Sequence, residues 1–193
     1  MNHERLPTAN PEHEHHTTPA IYIASLADYN NGRLHGEWID ATIGAEAIHQ
    51  HIQALLARSK EPAPEEWAIH DYEGFGAKTL GEYEQIEDVA ALAEGIEQHG
   101  DAFAAWVDFT GFKPTEWHLF TDAYLGRFSS LEAYAEQIIE ELGWSAEVNR
   151  LIPQALSPYI RVDATAMATD LKLSGEIFTV ECADGVHVFS NRT

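Results

Sequence analysis

The sequence is poor in three things, and each shortage removes a class of protein. Lysine and arginine number 11 together against 32 aspartates and glutamates, so the formal charge is −21 with histidine neutral. Carboxylic acids titrate near pH ~4, so almost all of that charge is present at neutral pH. Such an excess repels nucleic acid and anionic membrane surfaces, and it attracts cations or a basic protein. Cysteine occurs once, at Cys182, which excludes an intrachain disulfide and suits a reducing compartment. No apolar run approaches the ~20 residues that cross a bilayer, and AIYIASLA, the longest early one, is far shorter. The opening MNHERLPTANPEHEHHTTPA has no apolar signal core, so the expectation is a soluble cytoplasmic protein.

What is present argues for a folded chain. Hydrophobic residues make up 45%, with five Trp, seven Tyr and eight Phe, enough burial to offset chain entropy. At 193 residues the chain is one domain or two to three small ones. The charge is unevenly spread. Residues 1–60 hold seven acids and four bases, residues 61–149 hold twenty and three, and residues 150–193 hold five and four. The middle carries the charge.

Residues 1–18, with their prolines, read as a flexible tail. AIYIASLA is rich in strand formers, DYNNG (Asp28 to Gly32) is turn chemistry, and RLHGEWIDA returns as a second strand. Ile48, Ile52, Leu55 and Leu56 recur at helical spacing, so Ala45 to Ser59 is an amphipathic helix covering that sheet. KEPAPEE ends it, and WAIHDYEG offers a third strand. From Ile86 the period is helical: Ile86, Val89, Leu92, Ala93 and Ile96 share one arc, and Gly100 stops the helix. DAFAAWVDF is a second short helix with Phe103, Trp106 and Val107 inward.

Pro114 suits the first turn of a helix in PTEWHLFTDAYLG. In SSLEAYAEQIIEELG, Ser129 stands three residues before Glu132, a capping-box spacing, and Gly143 follows the last turn. Asp163 to Leu171 is another helix, and EIFTVECADGVHVF is two strands joined at Ala183-Asp184-Gly185. The fold class is therefore α+β. It divides into an N-terminal α+β module (19–76), a central acidic helical module (77–113) and a C-terminal α+β module (114–193).

Common chemical motifs fail on inspection. GFGAKTLG lacks both G-x-G-x-x-G and the Gly-Lys-Ser/Thr of a phosphate loop. His13, His15 and His16 in PEHEHH could bind a transition metal but suggest no closed site, and a solvated tail is the simpler reading. His49 and His51, two apart on a helix, point to different faces, and no H-E-x-x-H or calcium loop occurs. Cys182 reads as a buried structural thiol. Catalytic carboxylates sit in pockets that shift their pKa, whereas these crowd solvent-facing positions, which argues against a hydrolase.

Twenty acids answered by three bases repel one another, and that cost calls for a reason. Adaptation to high salt would spread acids everywhere, yet residues 150–193 are nearly neutral. Carboxylates at i, i+3 or i+4 lie about 5–6 Å apart, a spacing that can imitate a track of phosphates for a cleft lined with Lys and Arg. The competing reading is an acidic adaptor or cation-binding protein with no DNA-competitive action.

PAIYIASLADYNNGRLHGEWID, WAIHDYEGFG, LGRFSSLEAYAEQIIEELG and AMATDLKLSGEIFTVECADGVHVF resemble the ArdA antirestriction family, DNA mimics of conjugative plasmids and transposons, from about Pro19 to Phe189. The resemblance implies an elongated three-part protomer, a homodimer through the C-terminal module, and no catalysis, cofactor or metal. It implies a protein partner rather than nucleic acid or membrane: the type I restriction–modification enzyme, both its methyltransferase core and the complete nuclease. Carried onto this chain, the mimic surface would comprise Glu82, Glu84, Glu87, Asp88, Glu94, Glu97, Asp101 and Asp108. Glu132, Glu136, Glu140 and Glu141 would extend the track.

Overall fold

A computed structural model describes residues 17–111 and 113–191 of the chain. Their contacts gather into two compact units that divide after Phe120. The fold is mixed helix and sheet, as the sequence implies, with a small sheet near each end and helices between.

In the first unit, β1 (Ala20–Ser25) is the central strand, flanked antiparallel by β2 (Gly36–Asp40) and β3 (Trp67–Glu73). Alternation sends Ile21 and Ile23 to one face, where both are fully buried. Helix α2 (Ala45–Ala57) covers that face with Ile48, Ile52 and Leu55. The link from β1 to β2 departs from the expected turn: Leu26–Asn30 form a short helix, α1, inside DYNNG's reach. Its cause is Ser25, whose hydroxyl caps the Asp28 N–H at 3.4 Å.

Helix α3 (Ile86–His99) buries Ile86, Val89, Leu92, Ala93 and Ile96, the arc expected from the sequence, and packs against α2. Gly100, at φ +65°, ends α3 and starts α4 (Asp101–Thr110), a backbone turn that a side chain would strain. Phe103, Trp106 and Val107 point inward as expected. Phe103 and Trp106 meet Phe120 with ring centroids 5.3 and 5.8 Å apart, and the three are the largest side chains fully buried in this unit. Gly95 of α3 sits against the Phe103 ring, so the absence of a Cβ there lets the two helices close. A 3-10 turn at Pro114–Glu116 then leads into α5 (Trp117–Ala123), with Pro114 in its first turn.

The second unit holds a sheet of order β4-β6-β5, antiparallel throughout: β4 (Tyr124–Phe128), β5 (Ile177–Cys182) and β6 (Gly185–Ser190). The β5–β6 hairpin turns at Ala183-Asp184 as the sequence implies. Strand β4 does not appear in the sequence reading, which ran YLG on from a helix; Gly126 at φ +133° breaks the strand period where the β4–β6 register slips. Helices α6 (Leu131–Glu141) and α8 (Ala164–Leu173) pack together and close over the sheet. The α6 cap is Ser130, one residue later than Ser129: the Ser130 hydroxyl accepts the Ala133 N–H at 3.1 Å. Between them α7 (Trp144–Leu151), unassigned from sequence, buries none of its residues. Cys182, expected to be buried, is half-buried at the end of β5.

Candidate acidic interface

On α3 the core takes so much of the surface that only a narrow strip faces water. Glu87, Glu94 and Gln98 recur along that strip at i, i+7 and i+11, so the two carboxylates stand one above the other. Glu97 lies to one side of the strip, exposed, and Asp88 to the other, half-buried. On α4 the run Ala102–Val107 is wholly buried, which leaves Asp101 and Asp108 exposed at its two ends. Glu82 is exposed ahead of α3, whereas Glu84 is half-buried and, with Asp88, lines a small cleft. Residues 17–120 together hold eighteen acids and five bases.

The second unit carries a separate patch. Glu132, Glu136 and Glu140 follow one another at i+4 spacing along α6, all exposed, with Glu141 beside them. Each like-charge step at that spacing costs a helix about 0.2–0.5 kcal/mol, which is affordable beside the burial of Ala135 and Ile139 on the opposite side.

Several of these carboxylates are held by neutral donors. The Thr165 hydroxyl donates to Glu132 at 2.7 Å, the Gln137 amide to Glu141 at 2.7 Å and the Gln98 amide to Glu94 at 3.1 Å. A neutral donor fixes a carboxylate's direction and leaves its charge intact. Both arginines of the first unit are engaged elsewhere: Arg33 pairs with Glu61, and Arg58 with Glu37 at 2.5 Å.

Two partners of the acidic face were not legible in the sequence, which pictured α3 and its surroundings as unanswered by any base. Lys78 comes within 3.9 Å of Asp108, a weak contact at the limit of an ion pair. His49 of α2 lies 3.3 Å from Glu87, whose carboxyl sits below the usual glutamate range, held first by its own backbone N–H and then by His49. His51, on another face of α2 as expected, meets Glu37 instead. Both contacts with the acidic face join residues distant in sequence, and no local spacing announces them. Lys78 and Lys113 both line the cleft of Glu84 and Asp88, a space of about 130 Å³ floored by Leu80, Val89, Leu92 and Val107.

Among the described residues no group of three or more His, Cys, Asp or Glu is arranged to hold a metal ion. His13, His15 and His16 lie outside the described residues. No described helix is long and apolar enough to cross a membrane.

A family model described as Antirestriction protein (ArdA) matches residues 21–184, most of the chain. No curated protein sequence gives a significant match. This chain belongs to the ArdA family, and antirestriction is the function that membership supports.

Proposed function

We propose that this chain is a DNA mimic that occupies the DNA-binding cleft of type I restriction–modification enzymes and thereby inhibits both cleavage and modification. The reading rests on one observation above all: three outward-facing carboxylates, those of Glu94, Glu132 and Glu141, are oriented by neutral donors that leave their charge intact. The mimic residues are Glu82, Glu84, Glu87, Asp88, Glu94, Glu97, Asp101 and Asp108 of the helical module at 77–113, with Glu132, Glu136, Glu140 and Glu141 of α6. Glu84 and Asp88, half-buried, contribute field more than contact. Inhibition is by occupation, without catalysis, in the cytoplasm of a cell receiving foreign DNA. The working unit is a homodimer joined through the C-terminal module, a reading supported by the apolar side chains left exposed between Leu142 and Ile160.

Competition decides it. A purified type I methyltransferase core on labelled target DNA is titrated with the protein at two salt concentrations. Stoichiometric displacement is expected, weakening steeply as salt screens the charges. Neutralising Glu84, Glu87, Asp88, Glu94, Glu97 and Asp101 together should weaken displacement at least tenfold, while any one change has little effect. Unchanged displacement by a folded sixfold variant would remove α3 and α4 from the site. No displacement at low salt, with stoichiometric uptake of Ca²⁺ or Mg²⁺ in calorimetry, would favour a cation-binding adaptor instead.

A further inference from the structure

The sheet of the first unit has two faces, and only one belongs to α2. Glu37 on β2 faces α2, where Arg58 and His51 reach it. Alternation therefore places its neighbour Trp38 on the opposite face. The register sets Trp38 directly across from Tyr22 on β1, and Tyr22 directly across from Asp71 on β3. One row thus crosses all three strands as Trp, Tyr, Asp.

This row is open to solvent. Trp38 is 48% exposed, Asp71 is exposed and Tyr22 is half-buried. The Tyr22 and Trp38 rings lie 5.6 Å apart between centroids, tilted at 59°, so they form a shallow V rather than a closed stack. Gly36 makes the arrangement possible: a Cβ there would come within 2.7 Å of the Tyr22 Cζ and hydroxyl. Without one, the tip of the Tyr22 ring lies over the edge strand at Gly36. Asp71 is fixed by the Tyr72 N–H, which donates to its Oδ1 at 2.8 Å.

We infer that this row is a docking site for an arginine side chain presented by a basic protein. Aromatic faces carry negative quadrupoles, and a cation over Trp or Tyr is attracted to them. A guanidinium is flat, stacks on such rings and forks toward a carboxylate, which an ammonium does less well. Tyr22 and Asp71 are register partners on strands about 4.8 Å apart, so an arginine laid along the row meets both aromatic and carboxylate chemistry. The eighteen acids and five bases of residues 17–120 draw a basic partner to the surface that bears it. The inference stands independently of the restriction enzyme.

The test uses the full-length ¹⁵N-labelled protein and two peptides, one with six arginines and one with six lysines at the same spacing. The Trp38 indole N–H is identified among the five tryptophans from the spectrum of Trp38→Phe. The arginine peptide is expected to shift that resonance and to bind about two- to fivefold tighter than the lysine peptide. Trp38→Leu and Asp71→Asn should erase the preference, while Trp38→Phe keeps most of it. Equal affinities with an unmoved Trp38 resonance in the wild-type protein would overturn the inference, whether or not the variants fold. Because no restriction enzyme enters the assay, this failure is distinguishable from failure of cleft occupation.

Discussion

Among the described residues, Asp28 is the acidic residue that is fully buried. It is 3% exposed, and its Oδ2 accepts hydrogen bonds from the hydroxyls of Ser25 at 2.8 Å and Ser59 at 2.5 Å. The Ser59 hydroxyl, followed by that of Ser25 and by His35 and Arg33, holds the carboxyl below the usual aspartate range against the opposing effect of burial. A depressed folded-state pKa means that the fold prefers the ionised form. The resulting stability is present above the unfolded-state value of about 3.9 and is lost as pH falls through the lower folded value. Asp28→Asn should therefore melt at a lower temperature than wild type at pH 7, with the gap shrinking as pH drops below about 4. Thermal melts at pH 7 and pH 3 check this; a gap of equal size at both would mean that the amide fails by packing rather than by charge. Sequence gave no hint of this residue's role, because DYNNG spells a turn and Ser59 lies thirty-one residues away.

At the scale of elements, the packing of α3 on α4 turns on Gly95. An alanine there gains up to about 1 kcal/mol of helix propensity over glycine. The added methyl would fall within the Phe103 ring, which Phe120 and Trp106 hold in place. Overpacking a rigid site costs about 1–3 kcal/mol and occasionally more, and a ring held by two aromatic neighbours gives little. The clash should win, so Gly95→Ala is expected to lower the urea midpoint; a raised midpoint would mean that the helices separate freely. The helices α2 and α3 were legible because each repeats a buried arc with a period of 3.6. Besides α1, two elements escaped for physical reasons. Strand β4 is broken by Gly126, so no period of two survives, and α7, which touches α6, leaves its apolar residues Trp144 and Leu151 exposed, so its length and polar average hide it. The acids were legible by composition, yet their orientation was not, since the donors of Gln98, Gln137 and Thr165 become neighbours only in helices and across them.

At the scale of the whole molecule, the proposed homodimer gives the charge and the uncovered apolar surface separate tasks. Residues 150–193 are nearly neutral, with five acids and four bases. The stretch around α7 exposes Tyr159 at 84%, Leu151 at 71% and Leu142 at 57%. A stable interface needs about 800 Å² from each partner, and unpaired charge inside it is costly. A nearly neutral surface with exposed apolar side chains meets the second condition, whereas the acidic surfaces of α3 and α6 do not. Changing Leu151 to Glu and Tyr159 to Ser should therefore yield a folded monomer, measured by light scattering alongside circular dichroism. Such a monomer keeps every mimic carboxylate but loses the coupling of two acidic surfaces into one ligand. Its displacement of DNA should weaken by tenfold or more, because the second surface no longer binds at the effective concentration set by the first. A variant that stays dimeric would move the interface elsewhere. A monomer of undiminished potency would show that one protomer fills the cleft alone.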